Sequence, residues 1–228
     1  MIHFERRARV AGVAIGILAL AGLVLRYGVF ISSAWACGQS TWRATADFYS
    51  YFTILTNMLV VAAFMAPGSF FRNPKVRGSV TLYIMVVGVV YELMLRQLWH
   101  PEGAQFLASV ILHDAVPLAV VAHWLLLREK GALRWSHPFA WLFFPLAYLV
   151  FALTRGAFTG WWAYPFIDAS QLGYLRVLVN ALELIALFVI LGLAMVVWDR
   201  RGHRALASMP EPDEFDDETE RLPGLSGA

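Results

Sequence analysis

Six long apolar stretches constrain the fold of this chain more than any other feature. The hydrocarbon core of a membrane is about 30 Å thick, and a helix of roughly 20 apolar residues crosses it. Such stretches make up most of the sequence, since 59% of its 228 residues are hydrophobic. They cover about residues 10–33, 48–67, 80–99, 105–127, 138–154 and 172–198. We therefore predict an all-α, polytopic membrane protein whose six transmembrane helices form one domain over residues 1–204.

The basic residues predict the orientation of these spans. Lysines and arginines cluster before the first span, between the second and third, between the fourth and fifth, and after the sixth. The connections on the opposite side carry only Arg43 and Arg155. Because cytoplasmic connections are enriched in lysine and arginine, both termini are predicted to be cytoplasmic. The alternative for the first stretch, a cleaved signal peptide that ends near Ala36, fits its length less well.

Composition and histidine spacing argue against several classes of partner. The net charge of +2 gives no reason to expect a nucleic acid. Cys37 is the single cysteine, so it cannot form an internal disulfide, and no Cys/His cluster suggests a metal site. His113 and His123 lie ten residues apart on one span, which does not suit the ligation of one haem. We predict no metal and no cofactor, and the oligomeric state stays open.

The end of the chain has a different character from the spans. From about residue 205 it is rich in acidic residues and proline, and it has almost no large apolar side chains. Such a segment cannot bury enough apolar surface to fold by itself. We predict a disordered, acidic cytoplasmic tail over residues 205–228, which is either simply solvated or a docking segment.

Polar groups inside the predicted spans are the main functional signal. A charged side chain at the centre of a membrane helix costs at least about 2.5 kcal/mol, so each one requires a role or a partner. These polar groups are Arg26, Thr53, Asn57, Glu92, Arg96, His113, Asp114, Arg176, Asn180 and Glu183. At about 1.5 Å per residue, one group on each of five spans lies roughly 8 to 12 Å below the outer end of its helix, namely Arg26, Thr53, Glu92, His113 and Asn180. We predict a polar chamber in the outer half of the membrane.

Each of these groups also has a purely structural interpretation. Threonine in a membrane helix commonly packs or bonds to the backbone, and a buried histidine commonly makes an interhelical hydrogen bond. Glu92 and Arg96, spaced i and i+4, favour a structural ion pair. Arg26 and Arg176 suit anion binding or pairing equally well. Pro117 cannot donate to the carbonyl of residue 113, which predicts a freed carbonyl and a cavity beside the histidine.

Three short runs indicate a family. They are YFTILTN at residues 51–57, LHDAVP at residues 112–117 and GWWAYPFID at residues 160–168. In order and topology they resemble the androgen-induced-gene-like (FAR-type) family of integral membrane proteins, in what looks like its bacterial Pr6Pr-type branch. The similarity runs from about the second span to the sixth, and the WxYPF part is its most specific piece.

This resemblance implies a function. The vertebrate members of the family are threonine hydrolases that cleave fatty acid esters of hydroxy fatty acids, with a threonine on one helix and a histidine on another. Those positions match Thr53 and His113. The chain departs at Thr56, where the vertebrate members have an acidic residue, and at Pro117, which comes one residue earlier. The resemblance implies a lipid ester substrate, contact with membrane lipids and a place in the bacterial plasma membrane.

The residue types suit that chemistry. A hydroxyl is a weak nucleophile until a neighbouring base takes its proton, so His113 is predicted to activate Thr53 as the general base. Glu92 or Glu183 would orient the imidazole, and Asn57, Asn180 or an arginine would stabilise the oxyanion. The predicted supporting residues are Arg26, Asn57, Glu92, Arg96, Asp114, Trp162, Tyr164, Arg176, Asn180 and Glu183. The competing hypothesis is a non-catalytic lipid-binding or transport protein with a structural charge layer.

Overall fold

The computed structural model describes residues 2–98, 100–127 and 131–207, and this part of the chain is helical without any strand. Two short turns of π-helix occupy Tyr91–Leu95 and Ile111–Ala115, and 3₁₀ turns occupy Phe70–Arg72 and Pro165–Ile167. The α-helices are α1 (Ile2–Ala36), α2 (Thr41–Phe48), α3 (Phe52–Met65), α4 (Pro74–Val90), α5 (Gly103–Val110), α6 (Val116–Leu127), α7 (His137–Trp141), α8 (Phe143–Thr159) and α9 (Ala169–Ala207).

Five helical segments are long and apolar enough to cross a membrane, and a bent pair makes a sixth. The five are Arg6–Ala36, Pro74–Leu95, Gly103–Leu126, His137–Thr159 and Ala169–Gly202. They correspond to five of the six predicted spans. Their outward faces carry large apolar side chains such as Phe143, Phe158 and Leu175, which are 80%, 86% and 78% exposed. Apolar surface on this scale fits contact with lipid, since soluble monomers rarely expose it.

The second span differs from its prediction. In place of one helix over residues 48–67, α2 ends at Phe48 and α3 begins at Phe52, with a bend of 74° between them. Tyr51 has an extended backbone, with φ of −85° and ψ of 131°, and it caps α3 without a side-chain hydrogen bond. Thr53 therefore lies in the first turn of α3, where it was expected well inside a continuous helix.

Two π turns interrupt the third and fourth spans at facing positions. One covers Tyr91–Leu95 after α4, and the other covers Ile111–Ala115 between α5 and α6. The second lies just before Pro117, where the sequence predicts a freed carbonyl. A Cβ added to Gly88 of α4 would lie 3.2 Å from the carbonyl oxygen of His113 and 3.1 Å from Pro117. A glycine is thus needed for α4 to approach this part of the fourth span closely.

The core lies where α1, α3, α4 and α6 meet. Ala19, Val60, Ile84 and Val116 are fully buried there. A second cluster joins α4 and α6 to α9 through residues such as Leu82, Trp124 and Val196. Helix α8 lies at the periphery, where most of its residues are half-buried or exposed. This arrangement leaves the C-terminal end of α1, the N-terminal end of α3 and the two π turns grouped around one space.

Two boundaries shift relative to the sequence analysis. Helix α8 continues to Thr159, so Arg155 belongs to a helix, whereas the sequence assigned it to an outer connection. Helix α9 continues to Ala207, past the predicted domain boundary at residue 204. The rest of the predicted acidic tail, residues 208–228, lies outside the described residues.

Candidate functional site

A cavity of about 560 Å³ lies among the C-terminal end of α1, the N-terminal end of α3 and the two π turns. Thr53 and His113 both line it, together with Arg26, Tyr91 and Tyr164. Among its described lining residues there is no aspartate, glutamate or lysine. The cavity therefore brings together the two predicted catalytic groups, one arginine and three tyrosines, the third being Tyr51.

Thr53 lies at the N-terminus of α3 with its hydroxyl beside that of Tyr164. The backbone N–H of Thr53 donates to the Tyr164 oxygen at 3.2 Å, and the two hydroxyl oxygens are 3.4 Å apart. Either hydroxyl can be the donor in the contact between Thr53 Oγ1 and the Tyr164 oxygen. The side chain of Thr53 is only 8% exposed. The partial positive charge of a helix N-terminus favours negative charge that develops at this position.

Tyr164 reaches Thr53 from the loop between α8 and α9. Its ring stacks on Phe166 with 5.1 Å between centroids, and Asn180 of α9 donates to the carbonyl of Phe166 at 2.7 Å. Burial raises the pKa of the Tyr164 phenol to about 12, although hydrogen bonds with Thr53 act in the opposite direction. The phenol is therefore neutral at physiological pH and can act as a hydrogen-bond donor.

His113 is oriented by its own helix and by Tyr91. Its Nδ1 lies 3.0 Å from the carbonyl oxygen of Ser109, and because a carbonyl only accepts, Nδ1 carries the proton. The basic nitrogen is then Nε2. The imidazole stacks on the Tyr91 ring with 4.1 Å between centroids, and the Ser109 hydroxyl donates to the Tyr91 oxygen at 2.9 Å. The backbone carbonyl of Ser109 thus occupies the orienting position that the sequence analysis assigned to Glu92 or Glu183.

Asn57 joins the helices that carry Thr53 and His113. Its Nδ2 donates to the carbonyl of Thr53 at 2.9 Å and to that of Leu112 at 3.3 Å. A single amide group therefore links the backbone beside each of the proposed catalytic side chains. Both of its N–H donors are used in this way, so Asn57 is a structural link and does not supply the oxyanion donor that the sequence analysis considered.

The acidic residues of the predicted layer lie away from the cavity. Arg96 forms ion pairs with Glu92 and, at 2.8 Å, with Asp114. The side chains of Arg96 and Glu92 are 44% and 47% exposed. This cluster matches the structural ion pair that was one alternative in the sequence analysis.

The remaining predicted residues are divided between α9 and the outer loop. Arg176 and Glu183 are exposed on α9, and Glu183 borders a separate pocket of about 120 Å³. Trp162 packs tightly against α8, because a Cβ added to Gly156 would lie 2.3 Å from its ring. Neither Trp162 nor Asn180 lines the large cavity.

The sequence analysis missed a buried ion pair beside this site. Arg155 of α8 contacts Asp47 of α2 at 2.5 Å, and the two side chains are 17% and 6% exposed. The guanidinium also lies 4.1 Å from the ring centroid of Trp161, whose ring contacts Tyr51 edge-on. The pair holds α2 and α8 together above the cavity. An arginine and an aspartate outside the predicted spans gave no signal of this contact, because they are 108 residues apart.

Loss of Asp47 is expected to destabilise the fold. Asp47→Asn leaves the charge of Arg155 buried without compensation, so we expect the free energy of unfolding in detergent to fall by about 3 to 5 kcal/mol. The double variant Asp47→Leu/Arg155→Met removes both charges and should regain most of that loss. Chemical denaturation followed by tryptophan fluorescence measures both effects. Unchanged stability of Asp47→Asn would contradict the structural role of the pair.

No protein-family model, curated protein or solved structure matches the chain. The family resemblance therefore stays a prediction that depends on the short runs around Thr53, His113 and Tyr164. The geometry of the cavity is an independent basis for a functional proposal.

Proposed function

We propose that this protein is an intramembrane hydrolase of lipid esters, with Thr53 as the nucleophile and His113 as the general base. The observation that carries the proposal is the single cavity of about 560 Å³ that both side chains line. The Nδ1–H tautomer of His113 supports it, since that tautomer leaves Nε2 able to accept a proton. A structural histidine would not require a cavity beside its ring.

The reaction has two halves. Nε2 of His113 accepts the proton of the Thr53 hydroxyl while Oγ1 forms a bond to the ester carbonyl carbon. The C–O bond to the alcohol then breaks, and His113 returns the proton to the departing alcohol oxygen. In the second half, His113 takes a proton from water as it attacks the acyl-threonine. The bond between the acyl carbon and Oγ1 then breaks, His113 returns the proton to Oγ1, and the fatty acid leaves.

The oxyanion in this proposal is stabilised at the start of α3. The Tyr164 phenol lies beside Thr53 Oγ1, and the N-terminus of α3 contributes its partial positive charge. These groups replace Asn57 and Asn180, whose amide nitrogens contact backbone carbonyls. Arg26 supplies positive charge to the same cavity.

The proposed setting follows from the topology and the family resemblance. We place the protein in the bacterial plasma membrane with both termini in the cytoplasm and the cavity towards the outer side. Fatty acid esters of hydroxy fatty acids are the proposed substrate class, because they are the substrates of the vertebrate relatives that the chain resembles. An ester of this class presents both an apolar acyl chain and a carboxylate to the cavity.

Covalent labelling tests the nucleophile directly. We expect an alkyl fluorophosphonate to inactivate the purified protein and to form an adduct on Thr53, which peptide mass spectrometry locates. The rate at which the protein hydrolyses a mixed panel of lipid esters should fall in proportion to the fraction of protein that is labelled. An adduct on another residue would overturn the assignment of Thr53, and a wild-type protein that binds these esters without hydrolysing them would favour the lipid-binding hypothesis.

A further inference from the structure

We infer that a second, narrow cavity between α3, α4, α8 and α9 binds the acyl chain of the ester, while the large cavity receives the alcohol half. This inference rests on the proposed function. The narrow cavity has a volume of about 90 Å³. Its described lining is apolar except for Thr53, Tyr148 and Tyr164.

The polar groups that line the narrow cavity already have hydrogen-bond partners within the protein. The Tyr148 hydroxyl donates to the carbonyl of Ser50 at 2.9 Å, and the Tyr164 hydroxyl contacts Thr53. Beyond them the walls are hydrocarbon, from residues such as Val86, Ile185 and Phe188. A ligand in this space gains free energy only by burying apolar surface, which is the property of an alkyl chain. A carboxylate would lose its hydration there without any compensating partner.

The two cavities meet at the nucleophile. Thr53, Tyr164 and Leu95 line both of them. In this proposal, an ester whose carbonyl carbon lies at Oγ1 of Thr53 directs one half into each cavity.

Proton transfer from His113 determines which half of the ester enters which cavity. The departing alcohol oxygen must receive its proton from His113, and His113 lines only the large cavity. The large cavity also has the volume for the bulkier half and contains the charge of Arg26, which complements a carboxylate. The acyl chain stays on Thr53 after the alcohol departs. It is therefore assigned to the narrow apolar cavity. The expected substrate has an unbranched acyl chain and a bulkier, anionic alcohol half.

Photocrosslinking tests this assignment without depending on catalysis. The probe is a palmitic acid analogue with a diazirine near its methyl end, added to the full-length protein in nanodiscs. We expect crosslinks at inward-facing Ala181 and Ile185 of α9, both in the wild type and in Thr53→Val. Crosslinks confined to Leu178 and Leu182, which are 56% and 57% exposed on the same helix, would show contact from bulk lipid and overturn the inference.

Filling the narrow cavity provides a second test. Ala181→Leu should reduce inward crosslinking and lower the hydrolysis of long-chain relative to short-chain esters by about tenfold. Ala63→Leu changes an equally buried alanine outside both cavities and should leave this preference unchanged. Ile185→Ala enlarges the cavity and should shift the preference towards bulkier acyl chains, which keeps the test available if Ala181→Leu does not fold. An unchanged preference in a folded Ala181→Leu would overturn the inference.

The two proposals fail in different ways. If the probe crosslinks to the inward-facing residues but the protein hydrolyses no ester, the proposed acyl site stands and the proposed hydrolase activity is wrong. If Thr53 supports hydrolysis but no inward-facing residue is crosslinked, the proposed hydrolase activity stands and the proposed acyl site is wrong.

Discussion

Replacing Thr53 with valine is expected to lower the rate of ester hydrolysis by at least about 10³-fold and to abolish fluorophosphonate labelling. Valine keeps the branched shape of threonine and removes only Oγ1, so packing at the start of α3 is preserved. The backbone N–H of Thr53 still donates to Tyr164 in this variant. Turnover of a defined fatty acid ester, followed by mass spectrometry of the released acid, measures the effect.

Thr56 provides the matched control for this change. It lies on the same helix and is fully buried, and its hydroxyl has no hydrogen-bond partner. Replacing an unpaired buried hydroxyl by a methyl group is neutral or stabilising. Thr56→Val should therefore retain hydrolysis and should not lower the unfolding temperature. Equal activity of Thr53→Val and Thr56→Val would rule out a threonine nucleophile at residue 53.

Replacing His113 with asparagine is expected to lower the rate by about 10² to 10⁴-fold, the usual contribution of a general base. The asparagine amide nitrogen takes the place of Nδ1 and preserves the hydrogen bond to Ser109, while Nε2 is lost. Hydrolysis by the wild type requires the neutral imidazole, so its rate should rise with pH to a plateau. The fall in rate at low pH should be absent from the residual activity of the variant. Rates measured across a pH series give both results.

His123 is the corresponding control on the same span. Its Nε2 donates to the carbonyl of Ala8 at 2.9 Å, far from the cavity that His113 lines. His123→Gln preserves a nitrogen donor at that position and should retain the wild-type rate and pH profile. The double variant Thr53→Val/His113→Asn should lose no more activity than the larger single loss, because groups that act in one step are not additive. Additive losses would show that the two residues act separately.

The spans could be predicted because of the chemistry of lipid. A backbone in hydrocarbon must satisfy its own hydrogen bonds, so long apolar stretches become helices regardless of their neighbours. The break between α2 and α3 could not be predicted in this way, and the cause is local. Phe48, Tyr49, Tyr51 and Phe52 are all aromatic, so hydrophobicity continues across the break. On either side of Tyr51, Ser50 and Thr53 form hydrogen bonds with tyrosine hydroxyls from α8 and from the loop before α9, partners that lie far away in the sequence.

The sequence by itself determined the all-helical architecture, the approximate positions of the apolar spans and the presence of polar groups within them, since these follow from composition. Only the tertiary structure decided which of those groups share a cavity. Arg26, Thr53 and His113 line it, whereas Glu92, Arg96 and Asp114 pair with one another outside it. The direction of a side chain around its helix depends on packing, and here on two π turns that no spacing rule predicts.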